Sequence, residues 1–322
     1  MEVDEESEGG PRAALGRRAF CRAALVAAAA GASAPRAAAG LLVPRSANPI
    51  GRVGENGRPV VLMSDPHIHA DPGKRFWGAD LSANLARAVD RVVGGPRPAA
   101  VFFGGDTAVD RGRAEDYRQF GRLVRPLLDR RVPTHAVLGN HDDRLAFHDA
   151  FPGAFSPDGY PLRRHVERVE RSDADWYLLD SLRLTDETPG SLGDAQLAWL
   201  TASLDRRPHR RALVLVHHPP GKASSPGRSR VGLADGVALL TALTARPQVK
   251  AVFHGHLHRF DAWTQHGLHV VGLPATSYTF GRGESSGYAE ARLTHDTLRV
   301  TRRALEPGGR GDGDRFELPL RG

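Results

Sequence analysis

Cysteine is all but missing from this chain: Cys21 is the single one among 322 residues. One thiol excludes a disulfide framework, and cleavage of an export signal that includes it would leave the mature protein no thiol for a metal site. Cys21 also precedes the apolar run of its segment, whereas a lipid-anchoring cysteine would follow it. Lysine is nearly as scarce, since the 44 Lys plus Arg include only Lys74, Lys222 and Lys250, a skew that fits coding bias better than function. Long hydrophobic runs are lacking too. The stretch 23–34 is short and Ala-rich, and would not span a bilayer as a mature helix. Internal repeats, heptads and a linker between Leu41 and Leu305 are absent, so one domain is the economical expectation. The net charge of +7 is a modest surplus that suits attraction of anionic substrates without requiring it.

Residues 1–39 read as a twin-arginine export signal. Arg17-Arg18-Ala19-Phe20 precedes the mildly apolar run, and small residues continue through Ala37-Ala38-Ala39. The expectation is cleavage after Ala39, passage through the twin-arginine translocase, and a periplasmic or extracellular mature protein. The signal holds five Arg and five acidic residues, so its removal leaves the charge at +7. A linker over 40–57, a domain over 58–305 and a frayed Gly- and charge-rich tail over 306–322 complete the expected organisation.

Within the domain the pattern is strand, loop, helix, repeated. Val60-Val61-Leu62-Met63 is an apolar strand that stops at Ser64-Asp65-Pro66-His67-Ile68-His69. A helix over 81–93 leads to the strand 99–103, which closes on Gly104-Gly105-Asp106, and a helix over 117–128 leads to the strand 134–138, which closes on Gly139-Asn140-His141-Asp142. Further on, the strand 211–216 ends at His217-His218-Pro219-Pro220, and 249–253 ends at His254-Gly255-His256-Leu257-His258. The alternating stretches 269–273, 288–293 and 298–304 suggest a second sheet packed on the first. Carboxyl ends of parallel strands share one rim, so these motifs should converge.

Gly-Asn-His-Asp alone also makes a plausible turn. The collected strand-end residues are more telling: Asp65, His67, Asp106, Asn140, His217, His256 and His258 offer only oxygen and imidazole. That set suits two borderline or hard ions such as Mn, Fe or Zn. Two ions about 3.5–4 Å apart need a shared ligand, and Asp106, on the middle strand, is placed to bridge them. His218 competes with His217; we prefer His217 because it directly follows its strand.

Asp65-x-His67, Gly105-Asp106, Gly139-Asn140-His141-Asp142, His217 and Gly255-His256-x-His258, in that order, resemble the calcineurin-like metallophosphoesterases over about residues 60–305. The resemblance implies an α/β fold, a four-layer α-β-β-α sandwich of two mixed sheets flanked by helices, with a dinuclear metal site at the strand C-terminal ends. It implies that Asp65, His67 and His258 hold one divalent or mixed-valence ion with Asp106, and that Asn140, His217 and His256 hold the other. His141 matches the family's non-ligand histidine, which protonates the leaving oxygen or steadies the transition state, while a metal-bound hydroxide attacks phosphorus in line. Asp142, adjacent in sequence, is expected to orient His141. The expected activity is hydrolysis of a small-molecule phosphomonoester or phosphodiester. Val109 stands where purple acid phosphatases carry their iron-binding tyrosine. His217-His218-Pro219-Pro220 with the segment 192–204 is closest to the bacterial cyclic-nucleotide phosphodiesterase-like subgroup, although Asp110 lies four residues after the bridging Asp where that subgroup often has an acid three after.

Two alternatives belong to other classes. A non-catalytic metal-binding scaffold on the same fold would have lost ligands, and here all eight positions are filled. An amidohydrolase-type barrel would explain His67-Ile68-His69 but not the later motifs. A stable nucleic-acid partner is not expected, and oligomeric state is not legible.

Overall fold

The structure, a computed structural model, describes residues 57–152, 164–221, 231–280 and 283–321. The expected export signal at 1–39, and the linker up to residue 56, lie outside the described residues.

In chain order the elements are β1 (Val60–Met63), β2 (Arg75–Phe76), β3 (Ala79–Asp80), α1 (Leu81–Gly94), β4 (Ala100–Phe103), α2 (Ala114–Asp129), β5 (Thr134–Ala136) and α3 (Arg144–Ala150). Then follow β6 (Glu167–Glu170), β7 (Asp175–Leu179), α4 (Asp194–Asp205), β8 (Ala212–Val216), α5 (Gly236–Thr244), β9 (Val249–His254), β10 (Asp261–Gln265) and β11 (Leu268–Gly272). The chain closes with β12 (Gly287–Leu293), β13 (Thr297–Ala304) and β14 (Arg315–Pro319).

Two six-stranded mixed sheets result, ordered β14-β13-β12-β1-β4-β5 and β10-β11-β9-β8-β7-β6. Their central strands are parallel: β1 beside β4 beside β5, and β7 beside β8 beside β9 beside β11. Continuous apolar sequence makes this arrangement workable, because a strand covered on both faces has no polar side. In β1 the alternate residues Val61 and Met63 pack with Leu85, Val89, Phe120 and Val124 of α1 and α2. Val60 and Leu62 point the other way, into a core shared with Trp176, Leu178, Leu215 and Phe253 of the second sheet. Phe102 and Trp176 touch across that core, with ring centroids 4.7 Å apart. The outer face of the second sheet, with Tyr177, Val214 and Val216, is covered by Leu200 and Leu240 of α4 and α5.

Two expectations need correcting. The alternating strands near the C-terminus do not make a sheet of their own: β12 pairs antiparallel with β1 and brings β13 into the first sheet, while β11 joins β9 in the second. The tail is not frayed either, because β14 pairs with β13 and its Phe316 packs on Phe260 at 4.7 Å. Two apolar side chains, Phe316 and Leu318, suffice to dock it among Gly and charged residues.

Candidate metal centre

The motif residues come to one place from two sheets. β1, β4 and β5 run into the turns that bear Asp65 and His67, Asp106, and Asn140, and β8 and β9 run into those that bear His217, and His256 with His258. Backbone bonds stitch the turns together. Asp65 N donates to Gly105 O at 3.1 Å, His67 N to Asp106 O at 3.0 Å, and Gly255 N to His217 O at 3.0 Å. One bond crosses between the sheets directly, from His256 N to Asp65 Oδ1 at 3.0 Å. The motif glycines are needed for this closeness: a Cβ on Gly139 would run into the Asp106 carboxylate, and one on Gly255 into Ser64 and Asp65.

Five of these residues hold left-handed backbone: Asp65 (φ 50°), His67 (50°), Asp106 (49°), His256 (68°) and His258 (50°). Such conformations cost energy outside glycine and cluster at functional sites, where the surrounding structure enforces them.

Their side chains converge. Asp106 Oδ2 lies 3.2 Å from His217 Nε2 and 3.7 Å from His67 Nε2, so one carboxylate stands between two imidazoles. His258 Nε2 is 3.4 Å from Asp65 Oδ1 and 3.2 Å from His67 Nε2. Nδ1 of His217 donates to Gly104 O at 2.8 Å and Nδ1 of His258 donates to Tyr278 O at 2.7 Å. A carbonyl can only accept, so both rings carry a proton on Nδ1 and turn Nε2 inward, as metal-ligating histidines do.

The donor set fits a pair of cations. Asn140 Oδ1 is buried without a hydrogen-bond partner, which is costly unless something electropositive meets it. The trios Asp65, His67 and His258, and Asp65, Asp106 and His217, each bring three ligand atoms within 4.8 Å of one another. A third such trio joins His217, His218 and His256. All of these donors are oxygen or imidazole nitrogen, the chemistry of Mn, Fe or Zn.

The electrostatics agree. Burial raises the Asp106 carboxyl, but the His217 imidazole, its hydrogen bond and then His67 outweigh it and hold the group well below its usual range. Asp65 behaves alike, with His258 overcoming burial. Burial pushes His217 down, yet Asp106 lifts it to about 9. His67 and His256, dominated by burial, fall to about 4. The centre therefore combines ionised carboxylates, two neutral imidazoles and one imidazole that holds a proton for want of another cation.

His141 stands at the edge of this group, half-buried, its ring 5.2 Å from that of His67. Its backbone N–H donates to Asp106 Oδ1 at 2.8 Å, and its Nδ1 donates to Asp110 O at 3.0 Å, which leaves Nε2 uncommitted. Asp142 does not orient it, contrary to expectation. The Asp142 carboxylate accepts from Gly139 N at 2.9 Å, Ala108 N at 3.1 Å, Thr107 Oγ1 at 2.5 Å and Tyr117 OH at 3.2 Å, which ties the turn after β4 to the turn after β5. Arg144 serves no anion from outside, because it pairs bidentately with buried Asp180 at 2.8 and 3.1 Å. His69, the second histidine of the barrel alternative, accepts from Asp71 N at 3.0 Å and belongs to its own loop.

Of the two adjacent histidines, His217 is the one that reaches Asp106. His218 is nevertheless fully buried, with Nδ1 2.8 Å from Ser181 Oγ, its ring 4.9 Å from that of His256, and Nε2 without a hydrogen-bond partner. Sequence reasoning treated it as a competitor of His217 and missed it as a neighbour. The carbonyls of Gly104 and Tyr278 were missed for a different reason: a backbone acceptor has no residue-type signature.

Residues 58–260 match the calcineurin-like phosphoesterase family. The chain is 32% identical over 254 residues to a 3',5'-cyclic adenosine monophosphate phosphodiesterase of Pseudomonas aeruginosa, covering 75% of this chain and 87% of that protein. It is 28% identical over 233 residues to a cAMP/cGMP dual specificity phosphodiesterase of Mycobacterium tuberculosis, with 71% of each chain covered. In fold it is similar to a dimetal phosphatase from Danio rerio, with a TM-score of 0.65 and 17% identity over 82% of this chain and 99% of that one.

Proposed function

Since the chain belongs to the calcineurin-like phosphoesterase family, with a hydrolase's dinuclear metal chemistry, we propose that it is an exported phosphodiesterase acting on small diesters of the cyclic-nucleotide kind. The observation that carries the reading is Asp106, set between His217 at 3.2 Å and His67 at 3.7 Å beside the unpartnered Asn140 Oδ1. In this reading Asp65, His67 and His258 would hold one ion, Asn140, His217 and His256 would hold the other, and Asp106 would be shared by both. When bound, two divalent ions supply an acidified water and neutralise the charge that builds on the phosphoryl oxygens.

The chain's own residues do the rest. The carbonyls of Gly104 and Tyr278 hold the rings of His217 and His258 in register. His141, steered through Nδ1 by Asp110 O, presents Nε2 to the departing ester oxygen and, in its doubly protonated form, gives that oxygen the Nε2 proton as the P–O bond breaks, leaving a neutral ring. The choice of a diester is supported by the activities named for the similar proteins of P. aeruginosa and M. tuberculosis. Arg17-Arg18 supports export by the twin-arginine route, and no helix among the described residues is long and apolar enough to cross a membrane.

The test is a comparison of 3',5'-cyclic AMP, bis-p-nitrophenyl phosphate and p-nitrophenyl phosphate with Mn, Fe or Zn supplied. Faster turnover of the diesters is expected, and preference for the monoester would overturn the diester assignment. Export is checked by replacing Arg17 and Arg18 with Lys, which should leave the protein inside the cell.

A further inference from the structure

Beside the buried polar centre stands a group of aromatic rings that the chemistry above does not use. Tyr278 and Phe280 pack directly on the centre: the Phe280 ring stacks on His258 at 4.4 Å, and the Tyr278 ring lies 4.7 Å from His258 and 5.3 Å from His67. Trp77 and Phe76 continue the group outward, with Trp77 5.5 Å from Phe280 and 5.8 Å from Tyr278, and Phe76 5.0 Å from Tyr278. Trp77 is 67% exposed and Phe280 54%, although each is large and apolar enough to favour burial.

The placement of Trp77 is also costly. β2 and β3 pair as Phe76 with Ala79, so Trp77 and Gly78 form a two-residue hairpin turn. Both have positive φ, 49° and 81°, as a type I′ turn requires. Asn, Asp or Gly suits the first of these positions, and a bulky aromatic there is a conformational outlier. The ring is thus held out at a strained hairpin tip.

The group is fixed in position relative to the metal centre. Asp80, at the end of the hairpin, caps α1 by accepting from Ala83 N at 2.9 Å, and Asn84 of α1 donates to Ser277 O at 2.6 Å. Ser277 Oγ donates to Asp65 O at 2.5 Å, and Tyr278 O holds His258. A short chain of hydrogen bonds therefore connects the hairpin, the segment 277–280 and two candidate metal ligands.

We propose that Trp77, braced edge-to-face by Phe280 with the ring planes 77° apart, forms a stacking platform for the nucleobase of a nucleotide phosphodiester whose phosphate lies at the metal centre. The inference rests on the phosphodiesterase reading and narrows it to substrates with a planar aromatic base one sugar away from the phosphorus. An apolar π-face next to a cationic, polar floor matches the two ends of a nucleotide, and no charged side chain separates the rings of Phe280 and His258. Stacking is tolerant of base identity, so the platform serves adenine and guanine alike.

The test uses the full-length, metal-loaded protein and the ratio of kcat/KM for 3',5'-cyclic AMP to that for glycerophosphocholine, a diester without an aromatic group. Trp77→Ala and Phe280→Ala should each lower this ratio about tenfold or more, through KM, and Trp77→Phe should restore most of it. An unchanged ratio would overturn the platform. So would a concentration-dependent dimer abolished by Trp77→Ala with the ratio unmoved, which would make the rings an interface between copies. Binding is read independently of turnover: AMP should quench tryptophan fluorescence where inorganic phosphate does not, and Trp77→Phe should remove the effect. Quenching without hydrolysis of any diester would uphold the platform and refute the phosphodiesterase reading; hydrolysis without quenching would do the reverse.

Discussion

The two halves into which the proposed ligand assignment divides the candidate metal centre are built differently. In the half formed by Asp65, His67 and His258, all three residues are buried and all three hold left-handed backbone. In the half formed by Asn140, His217 and His256, only His256 does, and a spare imidazole, His218, stands alongside. The first half is positioned by backbone strain that the turns enforce. The second is positioned by side-chain bonds, such as His217 Nδ1 to Gly104 O, and has a third nitrogen, that of His218, in reserve. Strain fixes geometry with little tolerance, whereas redundancy tolerates loss. The first half should therefore be the rigid, selective one and the second the exchangeable one.

Removing what the halves share should have the largest effect. Asp106→Ala is expected to abolish binding of both ions and to take turnover to background, as read by metal analysis alongside hydrolysis of a chromogenic diester; retention of one full equivalent of metal would mean that the halves are independent. Next comes His141→Ala, which should keep both ions yet lose about 10²–10⁴ in kcat, because it removes a positioned proton donor and no ligand. A smaller effect should separate the adjacent histidines. His217→Ala should weaken the second half more than His218→Ala does, because it removes a candidate ligand and leaves the spare nitrogen of His218 to stand in; His218→Ala should weaken it by about 10–100-fold, the range for a residue that supports ligands, and leave the first half unchanged.

The smallest effect is in pH. His217 is lifted to about 9 by Asp106, so below that pH an ion entering the second half must displace its proton. Affinity there should fall about tenfold for each pH unit below 9, and calorimetry in buffers of different ionisation heat should detect the released proton. His67, held by burial to about 4, is already neutral at pH 7 and releases none. The sign follows from the shifts: a raised histidine competes with the metal over a wider range of pH, and a lowered one over a narrower range.

Much of this molecule was legible in its sequence, and the boundary is physical. Strands buried on both faces, such as β1, β4 and β8, announce themselves as unbroken apolar runs, β9 does so apart from Lys250, and their polar ends mark the centre. Asp65, His67, Asp106, His217, His256 and His258 come together in overlapping groups of ligand atoms, from two sheets rather than along one rim, and Asn140 lies in the turn whose His141 N–H reaches Asp106. Partition between sheets was not legible because strand period is the same in either, and only pairing decides that β12 lies against β1. α3 was too short, at seven residues, for periodicity to register, and its start depends on one cap, Asp143. Asp142 was misassigned because adjacency to His141 suggested a contact, whereas the chain turns the carboxylate back onto the β4 turn. The Trp77 hairpin escaped notice because two-residue strands leave no pattern and tryptophan is not a turn signal.

The bond from His256 N to Asp65 Oδ1 joins the end of β9 to the end of β1, so the candidate ligands lie on the seam where the two sheets meet. A cation gripped there draws ligands from both sides and cannot stay bound once either sheet comes away. Metal occupancy and global unfolding are then linked equilibria: melting temperature rises with the logarithm of free ion concentration, and a chelator acts as a mild denaturant.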